Sequence, residues 1–441
     1  MTNLSLWGET PLWPSLLPLW RELMSSEQLP LVDRWLKNSF KHPSNSVTLP
    51  QQLLLSRALM DGIAFAQVAC ALEYSYQQQT LELDWAEWDN TWHFDAVKTL
   101  PPTHFWGWMA LRCGADFHSL RLEDALARQT FFNSFSAAVT AETSNPFTLL
   151  WHGVRPQWLP LLMERVASSN WSEQQLQHFI EQQTHIPPLW LRPQTGQAAE
   201  QLVADLVGEG VKATLNSDGH IYASGGKGIT TTQVYQQGRV EIQDLASQQI
   251  AEAVAVKPGQ KVWDSCAGAG GKSLAIAARM ANKGVLVATD LYDYKLNELK
   301  RRAKRAEMFN IRTFTWSGAE PLRLPKEVAQ QQGFDWVLVD APCSSSGTWR
   351  RNPDARWRFD PTDTNELVAI QQQILTQAAP AVRLGGHLVY ATCSWQLAEN
   401  EAQISWFLRQ CPQFLLQYQR ILGAPQQDAD TMFVAVLHRQ S

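Results

Sequence analysis

The 441-residue sequence predicts an α/β fold in its C-terminal half, behind a mainly helical N-terminal domain (residues 1–185) and a small α+β module (residues 186–250). Three observations carry that reading. Short apolar runs bounded by turn residues recur at 261–265, 285–289, 336–339 and 386–391, and each has the length of a buried strand. Helical patterns of alanine-rich or charged sequence stand between them. Each run also ends on groups able to do chemistry, a carboxylate, a small-residue loop or a thiol. Open α/β sheets bind their ligands beyond the carboxyl ends of the strands.

Composition sets the frame. A hydrophobic content of 45% and a charged content of 18% are ordinary for a folded soluble chain. The six cysteines show no CxxC and no paired spacing, which disfavours a disulfide framework or a zinc site and suits reduced thiols in the cytoplasm. No run has the length of a spanning helix and no N-terminal stretch reads as a secretory signal, so neither a membrane nor a metal is expected as a partner. Charge is unevenly spread. Residues 1–190 hold 11 basic against 18 acidic side chains, a net of −7, and the remainder nets +2. Tryptophan is skewed the same way, with 13 of 20 before residue 191. The two halves therefore face different partners.

In the N-terminal half, residues 50–72, 120–135, 146–151 and 158–166 carry helical spacing. Trp85 and Trp88 could stack on bases, but core positions in a helical bundle are the plainer reading. An acidic domain is a poor phosphate binder. Pro187-Pro188 ends the last helix and starts an extended segment. A helix at 197–207 and short strands at 211–215 and 221–223 then make the small module, and residues 238–248 lead into a helix running to about 256.

The loop after the first strand reads Cys266-Ala267-Gly268-Ala269-Gly270-Gly271-Lys272-Ser273, followed by an alanine-rich helix. Small residues let backbone amides and a helix N-terminus approach a ligand. A Walker A loop fails, because Cys266 stands where it needs glycine. A dinucleotide fingerprint can be forced onto the small residues. An adenosyl ligand such as S-adenosyl-L-methionine remains, with Asp290, twenty residues past Gly270, placed for ribose hydroxyls. Residues 295–312 then hold seven basic side chains, Lys300 and Arg301 among them, which read as a solvated helix or as a track for RNA phosphates.

The strand at 336–339 delivers Asp340 and Cys343, then an arginine-rich loop with Arg350, Arg351, Arg356 and Arg358. These arginines are candidate RNA contacts. The strand at 386–391 ends on Thr392-Cys393-Ser394, ahead of Glu399-Asn400-Glu401. A lone cysteine is more often a small buried hydrophobe than a nucleophile. Two thiols beyond two strands, beside an apparent adenosyl site, reverse that expectation.

This set of motifs resembles the Sun (Fmu) family of RNA 5-methylcytosine methyltransferases over roughly residues 186–441. The matching elements are 240–248, 264–272, Asp290, 340–344 with Gly347-Thr348 and 350–354, and 392–394 with 399–401. The resemblance implies a Rossmann-like class I methyltransferase sheet of seven mostly parallel strands. It implies S-adenosyl-L-methionine held by Lys272, Asp290, Asp340 and the 266–271 backbone. Cys393 would be the nucleophile, adding to cytosine carbon 6, with Cys343 assisting proton removal and release. Asp340 would hydrogen-bond the ring edge. The implied substrate is unstacked RNA, ribosomal before transfer RNA. Bacterial members often carry a helical domain like the antitermination factor NusB, and residues 1–185 would be a divergent version. This chain departs from the family pattern at Ala269, usually Pro, and at Ser273, often Thr, and it offers Glu320 where an acid usually contacts the adenine side near Ser317-Gly318.

Two other readings fit less of the sequence. A DNA cytosine-5 enzyme attacks through the Pro-Cys thiol and would leave Cys393 without a role. A non-catalytic RNA-binding assembly factor would need neither thiol. Nothing in the sequence demands more than a monomer.

Overall fold

The computed structural model describes residues 12–42, 45, 47–139, 145–194, 196–226, 228–360 and 362–440. The chain divides into two compact units, one of residues 1–186 with 349–359, the other of 187–348 with 360–441.

The first unit is helical. Helices Trp13–Met24, Leu49–Ala64, Ala66–Gln78 and Pro102–Cys113 bury the apolar stripes that their spacing announces, around Leu59, Ile63, Trp20, Trp106 and Trp108. Trp85 is buried and packs edge-on against Trp88, with ring centroids 5.7 Å apart, so this pair is core rather than a base-stacking surface. Polar groups inside the bundle are matched. Glu73 accepts from Trp108 Nε1 at 2.7 Å and pairs with Arg128, and Asp89 pairs with Arg155 at 2.8 Å. Among the described residues no single helix is long and apolar enough to cross a membrane.

The second unit holds two sheets. Strands β1 (Leu189–Pro193), β2 (Val211–Leu215), β3 (Ile221–Gly226) and β4 (Val240–Ile242) form an antiparallel sheet in the order β2-β3-β1-β4. Helix Ala199–Gly208 covers one face and buries Leu202 and Leu206 against Leu191 and Val240. Trp190 donates its indole N–H to the carbonyl of Asp428 at 2.9 Å, which ties this sheet to the larger one.

The larger sheet contains β5 (Lys261–Asp264), β6 (Val285–Asp290), β7 (Ile311–Thr315), β8 (Phe334–Asp340), β9 (Val382–Thr392), β10 (Phe414–Leu422) and β11 (Met432–Arg439). Its order is β10-β11-β9-β8-β5-β6-β7, parallel from β9 to β7, with β11 and β10 antiparallel at one edge. This is the seven-stranded Rossmann-like sheet expected. Strands buried on both faces need continuous apolar runs, and β8 supplies one in Trp336-Val337-Leu338-Val339. After β5 the chain builds outward through β6 and β7, then returns to lay β8 on the other side. The switch point between β5 and β8 opens a crevice beyond the strand ends.

One boundary differs from expectation. The basic segment read as one helix over 295–312 is a helix only over Asp293–Arg305. Glu307 turns it with φ +52°, and Arg312 lies on β7, where it pairs with Glu327. Strands β4, β7 and β10 are not legible in the sequence, because three residues and two mostly exposed strands carry little apolar signal.

Candidate active site

Four strand ends converge. β5 delivers Asp264, β6 Asp290, β8 Asp340 and β9 Thr392. Loop 265–270 passes from β5 into helix Gly271–Met280 through Gly268 and Gly270, at φ +56° and +87°. A side chain on Gly270 would also collide with Leu299, so the turn requires glycine.

A cleft of about 340 Å³ opens beside this loop. Ser265, Cys266, Gly268, Asp290 and Asp340 are in its polar lining, and Leu291, Trp316 and Ile374 are in its apolar lining. Asp290 is fixed from two directions, with Oδ2 accepting from Gly268 N and Oδ1 from Tyr292 N, both at 2.9 Å. Lys272 reaches from the first turn of the helix to Asp340 Oδ2 at 2.7 Å. Burial opposes the Lys272 charge, but Asp340 outweighs it and raises the ammonium above its ordinary range. Ser317 and Gly318 line the cleft, and Glu320 does not.

The two thiols meet beyond β8 and β9. Cys343 Sγ and Cys393 Sγ are 3.2 Å apart, and both cysteines are free. They are not equivalent. The hydrogen bond from Cys343 lowers the Cys393 thiol; burial opposes this, while Ser345 and the Lys272 charge assist it. The same bond, with burial, raises Cys343 well above an ordinary thiol. The pair thus keeps a proton on Cys343 and favours a thiolate at Cys393.

Two adjacent residues hold the loops that carry these thiols. Glu399 is fully buried and accepts from Ser344 N at 2.8 Å and Ser344 Oγ at 2.6 Å, next to Cys343. Asn400 accepts from Thr392 Oγ1 at 2.5 Å and donates to Ser394 O at 2.9 Å, on either side of Cys393. Gly347 N donates to Cys393 O at 2.9 Å, and a Cβ at that position would run into the Thr431 carbonyl. The sequence places Glu399 and Asn400 in a motif and does not show their task. An acid beside an amide ahead of a helix, just past a thiol, is the signal it offers.

A third support comes from the smaller sheet. Glu241 on β4 is fully buried and pairs with Arg302 at 2.9 Å and with Arg305. Arg302 also donates to Ala269 O at 2.9 Å, so β4 reaches the glycine-rich loop through one guanidinium.

The arginine loop corrects the sequence reading. Arg350 and Arg356, expected to meet RNA, are buried in the helical unit. Arg350 Nε donates to His185 O at 2.9 Å, and Arg356 Nη1 donates to Ala64 O at 3.2 Å and Gly153 O at 2.5 Å. Arg351 is half-buried, and Arg358 pairs with Asp354 at 2.7 Å. Backbone carbonyls satisfy a guanidinium as phosphate oxygens do, and an arginine-rich sequence does not separate the two. Lys300 and Arg301 stay exposed, with Arg301 joined to Glu298 at 2.6 Å.

Residues 251–438 match the family described as 16S rRNA methyltransferase RsmB/F. The match covers less than half of the chain, and this stretch is what resembles the family. A probable ribosomal RNA small subunit methyltransferase B of Bacillus subtilis (strain 168) is 39% identical over 186 residues, 42% of this chain and 41% of that protein. Ribosomal RNA small subunit methyltransferase B of Proteus mirabilis (strain HI4320) is 31% identical over 291 residues, 65% of this chain and 66% of that protein. The matches therefore span less than two thirds of these relatives' own lengths. The crystal structure of PH0851 superposes with a TM-score of 0.67 over 99% of both chains at 22% identity, a likeness of fold. Every strand end, loop and thiol described above lies inside the RsmB/F stretch, whereas β4 and its Glu241 precede it.

Proposed function

We propose that this chain is an S-adenosylmethionine-dependent RNA methyltransferase that methylates carbon 5 of a cytosine, with ribosomal RNA as substrate, through a covalent bond between Cys393 and carbon 6. The observation that carries the reading is the thiol pair, 3.2 Å apart beyond β8 and β9, beside a cleft lined by carboxylates. The names of the RsmB/F relatives support RNA, and ribosomal RNA in particular.

The cleft suits the methyl donor. Its apolar lining of Leu291, Trp316 and Ile374 fits an adenine face, and Asp290, already fixed by two amides, keeps acceptor capacity for ribose hydroxyls. The 266–271 backbone and Lys272 complete the cradle. S-adenosylmethionine, when bound there, supplies an electrophilic methyl group.

Carbon 5 of cytosine is a weak nucleophile until carbon 6 accepts a thiolate. Cys393 attacks carbon 6, and electron density moves onto carbon 5 and the N3 edge of the ring. Asp340 accepts from the amino group on that edge and so orients the ring, while the Lys272 ammonium bound to it supplies the positive charge that stabilises the developing density. After methylation the carbon 5 proton must leave before the Cys393–carbon 6 bond can break. Once Cys393 is bonded to carbon 6 its negative charge no longer holds the proton on Cys343, so Cys343 can release that proton to solvent and take the one from carbon 5. Glu399 and Asn400 fix the two thiols by their loops, so neither is left to find its partner during turnover.

The test measures methyl transfer from labelled S-adenosylmethionine to total RNA, with modified cytosines read by bisulfite sequencing. Wild type should label ribosomal RNA, Cys393→Ala should be inactive, and Cys343→Ala should accumulate a covalent protein–RNA adduct. Full turnover by Cys393→Ala would sink the nucleophile assignment. Label found in transfer RNA alone would move the substrate and leave the chemistry standing. Donor binding without label on any RNA would favour an assembly factor.

A further inference from the structure

With Arg350 and Arg356 buried, neither guanidinium is open to RNA, and other exposed groups are needed to face it. Immediately after Asp290 the chain presents Leu291, Tyr292, Asp293 and Tyr294, and the three large side chains are 57%, 49% and 62% exposed. Apolar and aromatic groups are not usually left open in a row, and a cluster of them marks a contact surface. The tyrosine rings lie 5.7 Å apart, and Lys295 Nζ sits 4.9 Å over the Tyr292 ring. Leu291, Tyr292 and Lys295 also line the cleft, so the patch is continuous with the candidate active site.

Charge indicates what covers it. Helix Asp293–Arg305 runs on from the tyrosines and exposes Lys300, Arg301 and Lys304, against Asp293 and a Glu298 already engaged by Arg301. Aromatic faces beside a cationic helix suit single-stranded nucleic acid, whose bases stack and whose phosphates pair. An apolar protein partner would have no use for the cations, and a duplex would present no free base faces.

We infer that Tyr292 and Tyr294 form a stacking platform for unpaired RNA bases flanking the target cytosine, with Lys300, Arg301 and Lys304 taking the adjoining phosphates. The inference rests on the RNA reading above and names the surface that reading needs. A target base must leave its stack to reach the thiols, and a platform at the cleft rim replaces the stacking its neighbours lose.

The probe is a fluorescein-labelled oligocytidylate of about twelve nucleotides, which covers one OB-fold-sized site. Its binding to the full chain is followed by anisotropy, with S-adenosylhomocysteine titrated separately. Tyr294 lies outside the cleft lining, so Tyr294→Ala should weaken RNA about tenfold and leave S-adenosylhomocysteine affinity unmoved. Tyr294→Phe should bind RNA like wild type, because stacking needs the ring and not the hydroxyl. Unchanged RNA affinity in Tyr294→Ala would overturn the platform, and so would a Phe variant as weak as the Ala variant. A loss of S-adenosylhomocysteine affinity in Tyr294→Ala would also overturn it, placing the ring on the donor instead. Tyr294-dependent RNA binding without cytosine methylation would uphold the platform while the assigned reaction fell.

Discussion

Asp264, at the end of β5, is wholly buried and accepts from Ser273 Oγ at 2.6 Å. Burial, together with the nearby Asp340 and Asp290, pushes its carboxyl up to about 7, against the pull of Ser273 and Lys272. The unfolded chain ionises this group near its ordinary 3.8, so between pH 3.8 and about 7 the folded state holds a proton that the unfolded state has lost. Stability therefore falls as pH rises through that window, and the cost stays constant above it. At 1.36 kcal/mol per unit it reaches roughly 4 kcal/mol as an upper figure. Asp264→Asn should raise the urea midpoint at pH 8 and leave it nearly unchanged at pH 4. An equal effect at both values would show that Asp264 folds ionised. Position is legible in the sequence at this scale, because an apolar run that stops marks where Asp290, Asp340, Cys343 and Cys393 must emerge. Ionisation is not, since it depends on groups such as Ser345 and Lys272 that only the fold brings to Cys393.

Helix Asp293–Arg305 shows how an element reaches the chemistry without supplying a reacting group. Arg302 and Arg305 share buried Glu241, and only Arg302 touches the glycine-rich loop, at Ala269 O. Removing either arginine leaves Glu241 with one partner, so the folding penalties should be similar. Arg302→Ala alone should also weaken S-adenosylhomocysteine, by about tenfold if one charge-assisted hydrogen bond orders the loop. Calorimetric titration of Arg302→Ala and Arg305→Ala decides the matter. Equal affinities would mean that the glycine-rich loop holds its shape unaided. The sequence shows this helix as a basic run and marks neither its end at Arg305 nor its tie to β4. Charge continues to Arg312 regardless of secondary structure, and a strand of three residues has no period to read.

At the scale of the molecule, the Pro187-Pro188 boundary is legible and the discontinuity of the helical unit is not. That unit recruits residues 349–359 from between β8 and β9. Trp349 packs on Trp158 with ring centroids 4.6 Å apart, and Trp357 Nε1 donates to Ile63 O at 2.6 Å. With Arg356 on Ala64 O, these donors serve the end of helix Leu49–Ala64, where carbonyls lack partners and carry partial negative charge. Burial pulls the Arg356 guanidinium down only to about 10, so it remains a cation at neutral pH. Arg356→Met keeps most of the volume and removes the donors, leaving the Ala64 and Gly153 carbonyls short of a partner. It should cost roughly 2–4 kcal/mol of stability, seen as a lower melting transition of the full chain. RNA affinity measured well below that transition should not change. An arginine on phosphate would behave in the opposite way, leaving melting alone and reducing the salt dependence of RNA binding by about one counterion. The pair of measurements therefore separates a guanidinium that closes a helix end from one that holds a nucleic acid.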